Sequence, residues 1–433
     1  MSSDRCVIIK GMMAGLLIAG ACNGCSALPR HPASVDRNHA FIVYWPPTEN
    51  STRLRLAVKD LIDMKGVVTT AGSEFLAKNS PPARRDARCL AIARQRNVQF
   101  VGKTNTAELA IAASGINEYF GTPKNPLSAR RHLIPGGSSS GSAVAVASRM
   151  ADIAFGTDTA GSVRVPAACC GIVGLKTTFG LVPLDGVYPI APNQLDTVGP
   201  MAADVAGVVQ GMDLLQSGFA AQYRRAVAAK PSARKIRIGR LYLTGTAGKV
   251  DRAVDEALAA AQFEVVKLDR VFKEKWEQAQ KDATTVAEAS AWLSDLKFRT
   301  EQGVTLRTKA IVALGQVQYH TAYRQALRRQ AEWKAAVGRI LKEVDFIALP
   351  TLQDLPPRAP LFGGTVAFEA RALALQNTAA VNFAGNPALA IPVPVRDRTV
   401  PVTSLQLVGS RRSEAALLNA GRLIEAARPA RGR

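Results

Sequence analysis

Two loops in this chain set serine beside glycine: Pro135-Gly136-Gly137-Ser138-Ser139-Ser140-Gly141-Ser142, and then Gly156-Thr157-Asp158-Thr159-Ala160-Gly161-Ser162-Val163-Arg164-Val165-Pro166. Glycine lets backbone N–H groups approach a ligand and permits positive φ, so such loops point to nucleophile and oxyanion chemistry more than to packing. A serine hydroxyl attacks poorly until a neighbouring base takes its proton. The identity of that base is therefore the first question.

Histidine is scarce: only His31, His39, His132 and His320 exist. Gly137-Ser138-Ser139-Ser140-Gly141 fits the G-x-S-x-G elbow, which would make Ser139 the nucleophile of a hydrolase with a downstream acid and histidine. The one downstream histidine, His320, falls inside a predicted helix, the wrong place for a loop-borne base. Gly102-Lys103-Thr104 ends like a phosphate-binding loop, but Asn97 stands where that motif needs its first glycine. Lysine remains, and a lysine serves as base near neutral pH when burial disfavours its charge. Lys59 closes the alternation Leu54, Leu56, Val58, which would carry its ammonium into the protein at a strand end. A lone lysine is ordinarily a surface charge, so its flanking residues must decide.

The elements that would position these groups read as a helix and strand alternation. Strands are predicted at Leu54 to Val58, Val98 to Val101, Ile236 to Leu243 and Phe263 to Leu268, and helices at Arg88 to Arg96, Ser142 to Met150 and Val250 to Ala261. From Tyr319 to Leu341 apolar residues recur at helical spacing for about six turns, which predicts one long helix before Phe346-Ile347-Ala348-Leu349-Pro350. Alternation of this kind implies an α/β fold, a single large domain with a central mixed sheet surrounded by helices. No repeat or long linker divides the 433 residues. Hydrophobic content of 47% with 21% charged residues excludes wholesale disorder and a polytopic membrane protein. The chain is basic, 55 Lys+Arg against 34 Asp+Glu, but the arginines are dispersed and no nucleic-acid module accompanies them. The six cysteines show no zinc-ligand spacing with histidine, so no metal or other cofactor is expected.

Leu56-Ala57-Val58-Lys59-Asp60-Leu61-Ile62-Asp63, Thr69-Thr70-Ala71-Gly72-Ser73, Val101-Gly102-Lys103-Thr104-Asn105, the serine loop and Gly171-Ile172-Val173-Gly174-Leu175-Lys176 occur together in that order. In this they resemble the amidase signature family, with further echoes at Asp345 to Thr351, Asn382 to Pro392 and Leu405 to Gly409. The resemblance spans roughly residues 54 to 425, weakly between about 201 and 340. It implies a serine, cis-serine, lysine triad: Ser162 as nucleophile, Ser138 as the bridging serine on a cis peptide, and Lys59 as terminal base. It further implies that backbone N–H groups of Thr159, Ala160, Gly161 and Ser162 hold the oxyanion, that Ser139 supports the triad, and that Asp158 with Arg164 braces the loop. Lys103 and Lys176 match family motifs in structural roles. Ala160, Ser140 and Thr177 depart from the pattern, replacing two glycines and a proline.

The implied activity is hydrolysis of a linear carboxamide through an acyl-enzyme. The alternatives are an ammonia-supplying A-type subunit of an amidotransferase and a non-catalytic envelope binding protein on the same fold. The expected partner is a small-molecule amide, bound by loops within residues 110–135 and 270–320. Residues 1–25 read as an export leader: Arg5 and Lys10 precede an apolar run from Gly11 to Ala21, followed by Cys22 at a cleavage or lipidation position. That reading implies an exported chain, periplasmic or anchored to the envelope through a lipidated Cys22. Residues 26–53 read as an irregular lead-in, and the amidase-like domain as 54–433.

Overall fold

The computed structural model describes residues 35–48, 51–128, 132–230, 232, 236–360 and 364–428. The proposed leader and Cys22 lie outside the described residues.

Eleven strands form one mixed sheet: β1 (Phe41–Tyr44), β2 (Arg55–Lys59), β3 (Gln99–Thr104), β4 (Ile153–Asp158), β5 (Val173–Lys176), β6 (Thr197–Ala202), β7 (Arg237–Arg240), β8 (Glu264–Lys267), β9 (Phe346–Pro350), β10 (Ala388–Pro394) and β11 (Val402–Val408). Their order is β1-β3-β2-β4-β6-β5-β10-β11-β9-β7-β8. β2 lies parallel between β3 and β4, whereas β4, β6, β5, β10, β11 and β9 follow one another antiparallel. The single α/β domain with a mixed sheet and surrounding helices is thus the observed architecture.

Alternation along β2 explains how a lysine comes to be inside. Leu56 and Val58 enter the large core cluster together with Ile153 and Phe155, while Ala57 joins Ala143, Ala154 and Met201 in the cluster on the other face. Because side chains alternate between the faces of a strand, Lys59 shares the face of Ala57, where the helices Ser140–Ala147 and Arg164–Cys170 lie. Small residues allow that closeness. A Cβ on Gly141 would stand 2.3 Å from the Ala40 carbonyl oxygen and 2.4 Å from the Asn105 nitrogen, so the first turn after the serine loop accepts only glycine.

Three expectations need correction. The lead-in is not irregular throughout, because Phe41–Tyr44 pairs antiparallel with β3 and forms the sheet edge. Asp36 fixes its approach by accepting from the N–H groups of Asn38, Ala40 and Phe41. Residues 270–320 are helical except for the connection at 299–305, and the helix predicted from Tyr319 begins later. Arg270–Asp295 is a 26-residue helix that packs on Leu306–Thr321, and after a break at Ala322 a third helix runs over Tyr323–Glu343. Leu306–Thr321 carries apolar residues around its circumference, so a stripe of 3.6 period is missing there and helical periodicity starts only with the next element.

Candidate active site

Lys59, at the end of β2, is fully buried and donates from Nζ to Ser138 Oγ at 2.7 Å and to Thr157 Oγ1 at 2.8 Å. Burial pushes its amine down to about 7, against the opposing pull of Asp158 and then Asp196. The Gly137–Ser138 peptide is cis. Thr106 Oγ1 and the Ala107 N–H both donate to the Ser138 carbonyl, at 2.8 and 3.2 Å, so the turn after β3 holds this peptide in place. Ser139, buried behind it, donates from N to the Ser162 carbonyl at 3.2 Å and from Oγ to the Thr157 carbonyl at 3.3 Å. The first serine loop is thereby tied to the second.

The second loop leaves β4 at Asp158. Arg164 and Asp158 form a fully buried ion pair at 2.9 Å, and Asp158 Oδ2 also accepts from the Val163 N–H at 3.1 Å. Burial by itself would raise the Asp158 carboxyl, but Arg164, Lys176 and the amide of Asn382 outweigh it and hold it at about 2. Arg164 also donates to the Thr378 carbonyl, to Gln406 Oε1 and to Asn382 Oδ1, at 3.0, 2.6 and 2.5 Å. Asp158 and Arg164 therefore brace the loop as a structural pair. Between them, Gly161 sits at φ 140°, and a Cβ there would meet Thr378 Oγ1 at 2.2 Å. Among the described residues the N–H groups of Ala160, Gly161 and Ser162 find no acceptor, although Thr378 Oγ1 donates to the Ala160 carbonyl at 2.5 Å. Orphan backbone donors at a cavity edge are what an incoming oxyanion requires.

That edge belongs to a cavity of about 490 Å³ lined by Gly137, Thr159, Ala160 and half-buried Ser162 on one side. Its other walls come from Ala110 to Ala113, from Gln280 to Ala291 on the long helix, from Ile311, Leu314 and Gln318, and from Gln353 to Gln376. The lining is mainly apolar. Such a lining suits an apolar substituent of a bound small molecule. Among the described residues no three His, Cys, Asp or Glu side chains gather to hold a metal ion.

A model of the family described as Amidase matches residues 54–418. The chain belongs to the amidase signature family. It is 34% identical to 2-amino-5-chloromuconic acid deaminase of Comamonas testosteroni, over 86% of this chain and 81% of that one. It is 33% identical to the A-type subunit of glutamyl-tRNA(Gln) amidotransferase from Halobacterium salinarum, over 86% and 94%. A solved amidase structure superposes with a TM-score of 0.72 at 26% identity, covering 87% of this chain and 85% of its own.

Within this chain the structure brings together Lys59, Ser138, Ser139, the Thr159 to Ser162 loop and the Asp158–Arg164 pair, all singled out in the sequence. The elbow alternative fails, because Ser139 Oγ is turned to the Thr157 carbonyl and the His320 ring packs instead against Trp292 and, edge-on, against Tyr319. Sequence reasoning missed Thr157 as a ligand of the Lys59 amine, although it stands in the loop motif itself. It also missed Thr378, Asn382 and Gln406, whose contacts with the Asp158 loop come from more than 200 positions away. The cavity wall at Gln353 to Gln376 carries no local signal, and only tertiary folding brings it in.

Proposed function

We propose that this chain is an amidohydrolase in which Ser162 Oγ attacks the carbonyl carbon of an amide, Ser138 relays its proton, and Lys59 receives it. The carbonyl oxygen gathers negative charge toward the N–H groups of the Ala160 to Ser162 loop. As the C–N bond breaks, the relay returns the proton to the leaving nitrogen, and water then hydrolyses the Ser162 ester by the same route. The observation that carries this reading is the buried Lys59 amine, lowered to about 7 and 2.7 Å from Ser138 Oγ, beneath a cavity that Ser162 lines.

The apolar lining supports a carboxamide with an aliphatic or aromatic substituent as the substrate. A second reading, ammonia supply from glutamine, draws on the likeness to the glutamyl-tRNA(Gln) amidotransferase chain. It fits the lining less well, because a zwitterionic substrate would face mostly carbon. A fluorophosphonate probe tests the mechanism: it should label Ser162, with labelling abolished in Ser162→Ala and reduced at least 10²-fold in Lys59→Ala. Labelling at another residue, or amide hydrolysis by Ser162→Ala, would refute the assignment. Absence of any labelling would favour a non-catalytic binding role.

A further inference from the structure

The charges around the cavity are not equivalent. Glu369 is neutralised, since Arg307 pairs with it and Ser114 donates to it from N and Oγ at 3.1 and 2.6 Å. Lys281 is exposed and acts on Glu277 one turn before it. Glu288 is different. It lines the cavity half-buried, and among the described residues its one hydrogen-bonding neighbour is Gln318 and no lysine or arginine pairs with it. Burial raises its carboxyl accordingly. A carboxylate withdrawn from water without a counter-ion is costly unless a ligand brings the opposite charge.

Its position is fixed. The helices Arg270–Asp295 and Leu306–Thr321 cross at Gly315, where a Cβ would stand 2.2 Å from the Glu288 carbonyl oxygen, so Glu288 rides on rigid backbone. The catalytic end of the same helix is marked by Gln280, which donates to the Gln376 carbonyl and accepts from the Ala380 N–H, both at 3.0 Å, beside the Thr378 that holds Ala160. From Gln280 to Glu288 is eight residues, about 12 Å along the helix axis. Between the two ends the helix presents Thr284, Thr285 and Ala287 to the cavity, and the facing helix adds the hydrocarbon of Ile311 and Leu314.

We propose that Glu288 is a specificity determinant for substrates that carry a protonated amine at the far end of an aliphatic spacer, so that the cavity selects ω-amino amides over neutral alkyl amides of equal length. This rests on Ser162 being the reacting end. The ammonium completes an ion pair that the described residues leave open, and the spacer runs past Ala287, Ile311 and Leu314 between the two ends.

The test compares 8-aminooctanamide with nonanamide, in which a methyl group replaces the ammonium. Wild-type protein should favour the amino amide in kcat/KM. Glu288→Gln should lower that selectivity ratio by about tenfold or more, Glu288→Asp should retain part of it, and Glu288→Lys should turn the preference toward the monoamide of suberic acid. The same ratio is read without turnover from dissociation constants on Ser162→Ala. A selectivity ratio unchanged in Glu288→Gln, or no binding of the amino amide, overturns the inference. Binding selectivity that depends on Glu288 without hydrolysis by the wild type would instead sink the hydrolase reading and leave this one standing.

Discussion

Replacing Lys59 by methionine should abolish turnover and yet make the protein relatively more stable as the pH is lowered from 10 to 7. In the folded chain the amine titrates at about 7, whereas in an unfolded chain it returns to about 10.5. Between those values the unfolded state binds a proton that the folded state lacks, so wild-type stability falls as the pH drops. The penalty is absent above 10.5 and complete below about 7. At about 1.4 kcal/mol per pH unit the whole interval amounts to roughly 5 kcal/mol, and the three units from pH 10 to pH 7 to roughly 3–4 kcal/mol. Methionine fills a similar volume and carries no proton. It also strips Ser138 and Thr157 of a partner, a cost of about 1–3 kcal/mol for each orphaned hydroxyl, but that cost is the same at both pH values. The assay is denaturant unfolding of both proteins at pH 7 and pH 10. The difference in unfolding free energy, variant minus wild type, should grow by several kcal/mol toward pH 7. A difference that stays level would show that the amine is charged in the folded protein, and the proton relay would fail with it.

In the wild type, kcat/KM for any amide substrate should rise with pH along a limb centred near 7, because the free enzyme needs Lys59 uncharged; a profile flat from pH 6 to 9 would contradict this. Gly161→Ala places a methyl group 2.2 Å from Thr378 Oγ1 at a φ of 140°, and should cost about 10²-fold in kcat/KM by displacing the oxyanion loop, read by steady-state kinetics beside an intact circular dichroism spectrum. Arg164→Gln strands Asp158 as a buried charge and should destabilise by about 3–5 kcal/mol in denaturant unfolding, with Asp158→Asn in the same chain restoring part of the loss.

How far the sequence foretells this structure differs from place to place, for physical reasons. Lys59 was legible because period-two alternation on β2 needs only five residues to show itself, and the serine loops because glycine there answers to local backbone geometry, as at Gly161 and Gly141. The edge strand Phe41–Tyr44 was not legible. It is four residues long and gains its order from β3 and from Asp36, so its own composition contains little signal. The hairpin of Arg270–Asp295 and Leu306–Thr321 reads as loop in the sequence because one of its helices is apolar on several sides, which blurs the periodicity on which a helix assignment rests. The cavity is legible only in part: Ala110 to Ala113 and the long helix fall in segments expected to line it, while Gln353 to Gln376 joins through contacts that no short window contains.

Three buried lysines crowd this half of the sheet, and their partners explain why one of them is suited to proton transfer. Lys103 faces Asp60 at 2.8 Å, an ion pair that keeps its charge compensated. Lys176, like Lys59, is pushed down to about 7 by burial, and Arg164 adds to the effect. Lys176 nevertheless donates to the carbonyls of Thr177 and Asn386, both at 2.9 Å, and a carbonyl has no proton to give back. Lys59 alone of the three meets hydroxyls on two sides, and a hydroxyl both donates and accepts. Burial therefore makes two amines basic in the useful range, but only the neighbours of Lys59 can hand a proton onward. Exchanging Ser138 for alanine should accordingly break transfer between Ser162 and Lys59 even though the amine remains buried.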